Sequence, residues 1–394
     1  MIKKNIYIMY IIVFLQGMVF YSPISTLFRQ DRGLSLEQIF LLQAILSFTI
    51  IVFEVPFGYI GDKIGYKKTI ILSNTILFIS KIVFYKSHSF QLFFLESILF
   101  GISAAATSGC DIALLYESKG NESGEKIFGR YSAVGSIGFL LSSLISTYFI
   151  SKSFDLTAFA TIIPHGICVI ATLFLKDVKN NISSEKSNKS FLHEIKVCFS
   201  KKGIIALFIF VLLISLISQI VHSTTVFLNQ VQYSNSGIDI KFYGLISAII
   251  QIVGILAAQT YRFTNKFGQK NVLISLLAFI NMGLLALIFT NNPLISILCM
   301  MIISGSFTMC TPIITTIQNQ SIKNNRATML SIYSLFGNIV GSLVNILIGR
   351  SADSSLKMAF IVSLFMVMFS TLGILVYLYK YKYTYDIKEI SNSQ

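Results

Sequence analysis

Charge is scarce in this sequence, and acidic charge scarcer still. Only 12% of the 394 residues are Asp, Glu, Lys or Arg, against about 25% in soluble globular domains. The 17 acids are outnumbered by 31 bases, and no acid occurs between Asp239 and Asp353. Tryptophan is absent and proline occurs five times. The five cysteines, Cys110, Cys168, Cys198, Cys299 and Cys310, show no CxxC or other metal-ligand spacing, so neither a zinc site nor a disulfide framework follows. There is no phosphate-binding G-x-x-x-x-G-K-[ST] loop and no H-E-x-x-H helix, and the four histidines are scattered. A catalytic constellation is therefore not expected, nor a resident metal or cofactor.

What is present is apolar length. Hydrophobic residues make up 54% of the chain, and mean hydropathy is +0.74. A membrane-spanning helix needs about 20 mostly apolar residues, and twelve stretches qualify. They lie near 5–28, 37–59, 69–87, 91–116, 129–150, 156–175, 203–231, 240–261, 271–290, 293–318, 327–349 and 357–380. The expected fold is an all-α polytopic membrane protein. The opening MIKKN and its apolar run lack a clear small-residue cleavage site, so they read as a retained first helix.

Polar residues 176–202 separate the spans into two groups of six, giving expected divisions of 1–175, 176–202, 203–380 and a tail of 381–394. Within the linker, FLHEIKVCF has the pattern of a short amphipathic surface helix. The net charge of +14 could suggest nucleic acid, but its distribution points to a membrane instead. With the N-terminus inside, 23 of the 31 bases fall in cytoplasmic segments and seven in outer ones. That bias fits an even number of spans with both ends cytoplasmic.

Residues 58–68, GYIGDKIGYKK, join the second and third spans. Glycines there allow a tight turn and close helix approach. The stretch resembles the signature loop of the major facilitator superfamily, with Gly58, Asp62, Lys63, Gly65, Lys67 and Lys68 matching in kind and Tyr66 departing. A weaker echo, YRFTNKFGQK at 261–270, follows the eighth span, and Gly268 and Lys270 mirror Gly65 and Lys67 at an offset of 203. Arg130 and Arg326 open the fifth and eleventh spans in the same way. The resemblance implies twelve helices in two six-helix repeats with a substrate site near the midplane. It also implies that Asp62 and its basic neighbours, with Arg130, form an inner gate.

An ionisable residue inside a span costs on the order of 3 kcal/mol on insertion scales, so each needs a reason. Asp111 and Glu54 sit about six residues from the inner ends of the fourth and second spans. Carboxyls facing each other at one depth suit proton exchange, and the two are candidates for proton coupling. A fixed helix–helix contact or an ion pair with Arg130 is the alternative. Lys81 and Glu96 lie at matching depth near the outer ends of the third and fourth spans and are expected to form a charge-compensated pair. Gln16, Gln43, Gln219, His222, Gln251, Asn338 and Asn345 are the neutral or weakly basic candidates for a cavity lining. Such side chains also tie helices together.

EVPFGYIGD and ALLYES are similar to the bacterial drug-efflux branch of that superfamily, which implies proton-driven export of amphipathic compounds by a monomer in the cytoplasmic membrane. Residues 129–146 keep Gly135 and Gly138 of the antiporter motif in the fifth span but have no proline and no later glycine pair. Two rivals stay open: a proton-coupled nutrient importer, and a sensor or immunity protein that keeps the fold without transport. The expected partners are a small-molecule substrate, protons and membrane lipid.

Overall fold

The computed structural model describes residues 3–118, 123–178, 202–255, 259–321 and 326–380. The amphipathic segment expected in the linker, Cys198 and the C-terminal tail lie outside them. Among the described residues eleven helices are long and apolar enough to cross a membrane, and a further apolar helix, Ile240–Gly254, is shorter. The chain divides into two compact units, residues 1–186 with 237–251, and residues 187–236 with 252–394.

In the first unit the first span is broken. Helix α1 (Lys3–Gly17) ends before a 3-10 turn at Ser22–Ile24, and α2 (Ser25–Asp31) completes the crossing. Pro23 sits within that turn, where a missing N–H costs nothing. Then come α3 (Leu36–Ile64), α4 (Tyr66–Lys86), α5 (Phe90–Thr107), α6 (Cys110–Ser118), α7 (Gly124–Ile150) and α8 (Phe154–Leu173). Helix α3 starts on a reciprocal cap between Ser35 and Gln38. The fourth span is α5 and α6 together, interrupted at Gly109, whose φ is 80°. Helices α1 and α7 touch backbone to backbone: a Cβ on Gly138 would run into the Phe14 carbonyl.

The second unit opens with α9 (Lys202–His222), which passes through a π-helical segment, Ser223–Leu228, into α10 (Asn229–Asn235). Helix α11 (Tyr243–Ile255) begins in the first unit, since Gly237–Gln251 clusters there. Helices α12 (Thr260–Phe267), α13 (Gln269–Phe289), α14 (Pro293–Ser321), α15 (Arg326–Ser354) and α16 (Leu356–Lys380) follow. Pro56, Pro164 and Pro312 sit inside continuous helices. On α16, Phe365, Phe369, Leu372 and Val376 form an exposed apolar stripe at helical spacing, the surface expected where lipid replaces water.

The internal repeat is visible in the backbone. Gly65 alone separates α3 from α4, with φ 92° and ψ 149°. Gly268 alone separates α12 from α13, with φ 81° and ψ 147°. Each donates its N–H four residues back, Gly65 to Gly61 at 3.1 Å and Gly268 to Thr264 at 2.9 Å. This backbone region is essentially reserved for glycine, which explains why both copies keep one there. The polar stretch around Gly65 is thus helix on both sides of a single turning residue.

Candidate functional site

Each unit contains a cavity of its own. In the first, α1, α4, α5 and α8 enclose about 320 Å³. Gln16 lines it from the end of α1 and donates to Asn74 Oδ1 at 2.8 Å. Ser103 lines it from α5 and is locked to α4 by a reciprocal pair of bonds, each hydroxyl of Ser73 and Ser103 donating to the other's carbonyl at 2.9 Å. His165 lines it from α8 with Nδ1 2.8 Å from the Thr161 carbonyl. A carbonyl only accepts, so Nδ1 carries the proton. Lys81 completes the polar wall, with its Nζ 3.0 Å from the Tyr21 hydroxyl and 4.3 Å above the Phe100 ring.

The structure changes the expected Lys81–Glu96 pair. Glu96 takes Arg29 as its partner, at 3.6 Å, and no ion pair joins Lys81 to Glu96 among the described residues. The reason is aromatic packing. Tyr21 and Phe28 stack on Phe84, at 3.9 and 4.8 Å between centroids. This ladder holds α2 so that the Arg29 guanidinium sits over Phe84 and Phe93, at 5.1 and 5.6 Å. Arg29, counted by sequence with the outer segments, is in fact 5% exposed. Arg32, beyond it, pairs with Asp155 and donates to the Ser87 carbonyl at 3.0 Å.

Asp111 and Glu54 are not brought together by any contact among the described residues. Asp111 lies at the start of α6, just past the break at Gly109, and accepts from the Tyr131 hydroxyl of α7 at 3.2 Å and from the Ile112 N–H at 2.7 Å. Glu54 is half-buried in α3, with no hydrogen-bonding partner among the described residues. Arg130 is exposed near the start of α7. Of the proposed gate residues, Gly58, Lys63 and Lys68 are exposed and Lys67 is half-buried, while the Asp62 side chain lies outside the described set. Close approach falls to Gly61 instead: a Cβ there would come within 2.8 Å of Cys110 Sγ, whereas one on Gly58 meets open space.

The cavity of the second unit is about 310 Å³ and carries no charged side chain. Gln219 and Asn338 line it with Ser215, Ser218, Gln318 and Tyr333. Asn345 is instead buried as a tie, accepting from Ser223 Oγ at 2.9 Å beside the π-helical segment. Gln43 and Gln251 are half-buried outside both cavities, and His222 is exposed. Asp239, in the connection before α11, pairs with Lys241 at 2.7 Å, and this partner holds its carboxyl below the usual range.

Arg29, Tyr21, Tyr131 and His165 are the contributors that sequence reading missed. His165 carried a usable signal, an ionisable group inside an apolar span next to Pro164. Tyr131 carried none, being one tyrosine among 18.

Residues 6–345 match the sequence profile of the Major Facilitator Superfamily. The chain is similar to the quinolone resistance protein NorA of Staphylococcus aureus, 24% identical over 353 residues, covering 87% of this chain and 89% of that one. NorA from another strain of the same organism is 29% identical over 142 residues, covering 35% and 36%. Among solved structures, the nucleoside transporter NupG has a TM-score of 0.78 at 16% identity, over 97% of this chain and 100% of that chain. A D-xylose-proton symporter has a TM-score of 0.74 at 14% identity, over 96% and 98%. At such identities the structural likenesses speak to the fold alone.

Proposed function

The chain belongs to the major facilitator superfamily, and on that premise we propose that it is a secondary exporter of small amphipathic compounds, exchanging them for protons by alternating access. The observation that carries this reading is the near full-length similarity to a quinolone resistance protein. No span of the second unit holds a carboxyl inside it, since Asp353 is exposed at the end of α15. Glu96 is already committed to Arg29. That leaves Asp111 and Glu54 as the candidates for proton coupling, of which Asp111 carries the exchangeable proton, with Tyr131 as the hydrogen-bonding partner that orients it. The turn at Gly65 and the cations Lys63, Lys67 and Lys68, with Gly58, Asp62 and Arg130, form the inner gate. The protein lies in a bacterial cytoplasmic membrane with both ends inside and works as a monomer.

The test is transport by purified protein in liposomes whose interior is more acidic than the bath. Norfloxacin, a quinolone, accumulates inside as protons leave, beyond the level reached in protein-free liposomes. Accumulation that is equal with and without protein, for norfloxacin and for the amphipathic acid 2-naphthoate alike, contradicts the reading.

A further inference from the structure

Three ionisable side chains are buried together at the end of the first unit where α4 meets the α2 segment. Arg29 is 5% exposed, Lys81 3% and Glu96 2%. Glu96 offsets Arg29 at 3.6 Å. Glu96 is the one carboxylate that faces both cations, so the cluster keeps one positive charge in excess, and Lys81, with a phenol and a ring face as its nearest neighbours, has no carboxylate at ion-pair distance among the described residues. Lys81 lies five residues before the end of α4 at Lys86, about 8 Å at the rise of an α-helix, and it lines the cavity. His165, on the opposite wall, adds no negative charge in either protonation state. Removing an ammonium from water without a counter-charge costs several kcal/mol, so the arrangement is completed by an anion from outside the chain.

We propose that the cavity of the first unit is a docking site for an organic anion, an amphipathic carboxylate whose charge rests against Lys81 and whose apolar body lies along Leu77 and Phe100. An ammonium is a strong point-charge donor, and one of its three protons is used by Tyr21. The same cavity disfavours a cationic ligand, which would meet the excess positive charge of the cluster. This deepens the exporter reading and rests on it for the claim that the bound anion is a substrate. The binding site itself stands independently.

The experiment is equilibrium dialysis of radiolabelled 2-naphthoate against the purified full-length protein in uncharged detergent. The competitors are unlabelled naphthoate, its methyl ester, 2-naphthylmethylammonium and a short-chain phosphatidylglycerol. Naphthoate is expected to compete at least ~10-fold better than the ester or the amine. Lys81→Met removes that preference and Lys81→Arg retains it. The arginine variant, together with unchanged elution of both variants as folded monodisperse protein, separates loss of the site from loss of the fold. Equal competition by acid and ester in the unsubstituted protein, no binding of naphthoate, or a preference that survives in Lys81→Met overturns the proposal. Stronger competition by the phosphatidylglycerol than by naphthoate also overturns it, since the anion is then a lipid headgroup. Acid preference in dialysis combined with no proton-driven drug uptake leaves this site standing and removes the exporter reading.

Discussion

The two units share the same turning glycine, yet among the described residues one buries charged side chains and the other does not. The ion pairs Arg29–Glu96, Arg32–Asp155 and Lys241–Asp239 belong to the first unit. So do the half-buried acids Asp111 and Glu54 and the buried cation Lys81. The second unit ties its helices with amides and hydroxyls, as in Ser223 to Asn345 at 2.9 Å and Gln232 to Ser296 at 3.0 Å. Charge in a low-dielectric interior is expensive and binds protons or ions, whereas an amide is cheaper and indifferent to pH. Among the described residues the buried ionic chemistry thus lies in one copy, and the other supplies shape and hydrogen bonds.

That contrast is open to direct attack by substitution, and the largest effect is expected at the buried ion pair. Arg29→Ala removes the nearest partner of Glu96 and leaves only the more distant Lys81 as counter-charge, which should cost about 3 kcal/mol, read as a lowered thermal midpoint of the purified protein. The corresponding change in the second unit, Asn345→Ala, removes a neutral tie worth about 0.6 kcal/mol on average. Comparable losses at both positions would mean that the charge asymmetry has no energetic content.

The turning glycines sharpen the comparison from the other side, since there the units should agree. Gly65→Ala and Gly268→Ala each force a side chain into a glycine-only region and should each cost about 1–3 kcal/mol. A large effect at one and none at the other would break the equivalence of the repeats. Within the first unit, Gly61→Ala should impair stability through its contact with Cys110, while Gly58→Ala should leave the thermal midpoint unchanged. Tyr131→Phe probes the acid of the charged unit through its hydrogen-bonding partner. It deletes one hydrogen bond, worth about 1 kcal/mol, and should weaken proton-coupled uptake more than it lowers stability.

Much of this was legible before any coordinates. The spans follow from apolar length, and the repeat from Gly65 and Gly268, because only one residue type fits that backbone. Other features were hidden for physical reasons. Arg29 sits at the edge of an apolar run, where sequence cannot separate a loop cation from one folded inward by an aromatic ladder. GISAAATSGCD reads as a run of small residues suited to close packing, and the break at Gly109 that presents Asp111 depends on a single backbone angle. The π-helical segment at Ser223–Leu228 has no compositional mark. The pairing of Asp111 with Tyr131 required knowing which faces of α6 and α7 meet.

The measurement closest to the centre of this account is norfloxacin uptake by Asp111→Asn in liposomes with an acidic interior. The charged unit is predicted to hold the coupling, so this variant should equilibrate the drug down its own gradient at a measurable rate yet fail to concentrate it. Glu54→Gln should still concentrate it. Accumulation by Asp111→Asn to the level of the unsubstituted protein would place proton coupling elsewhere in the chain.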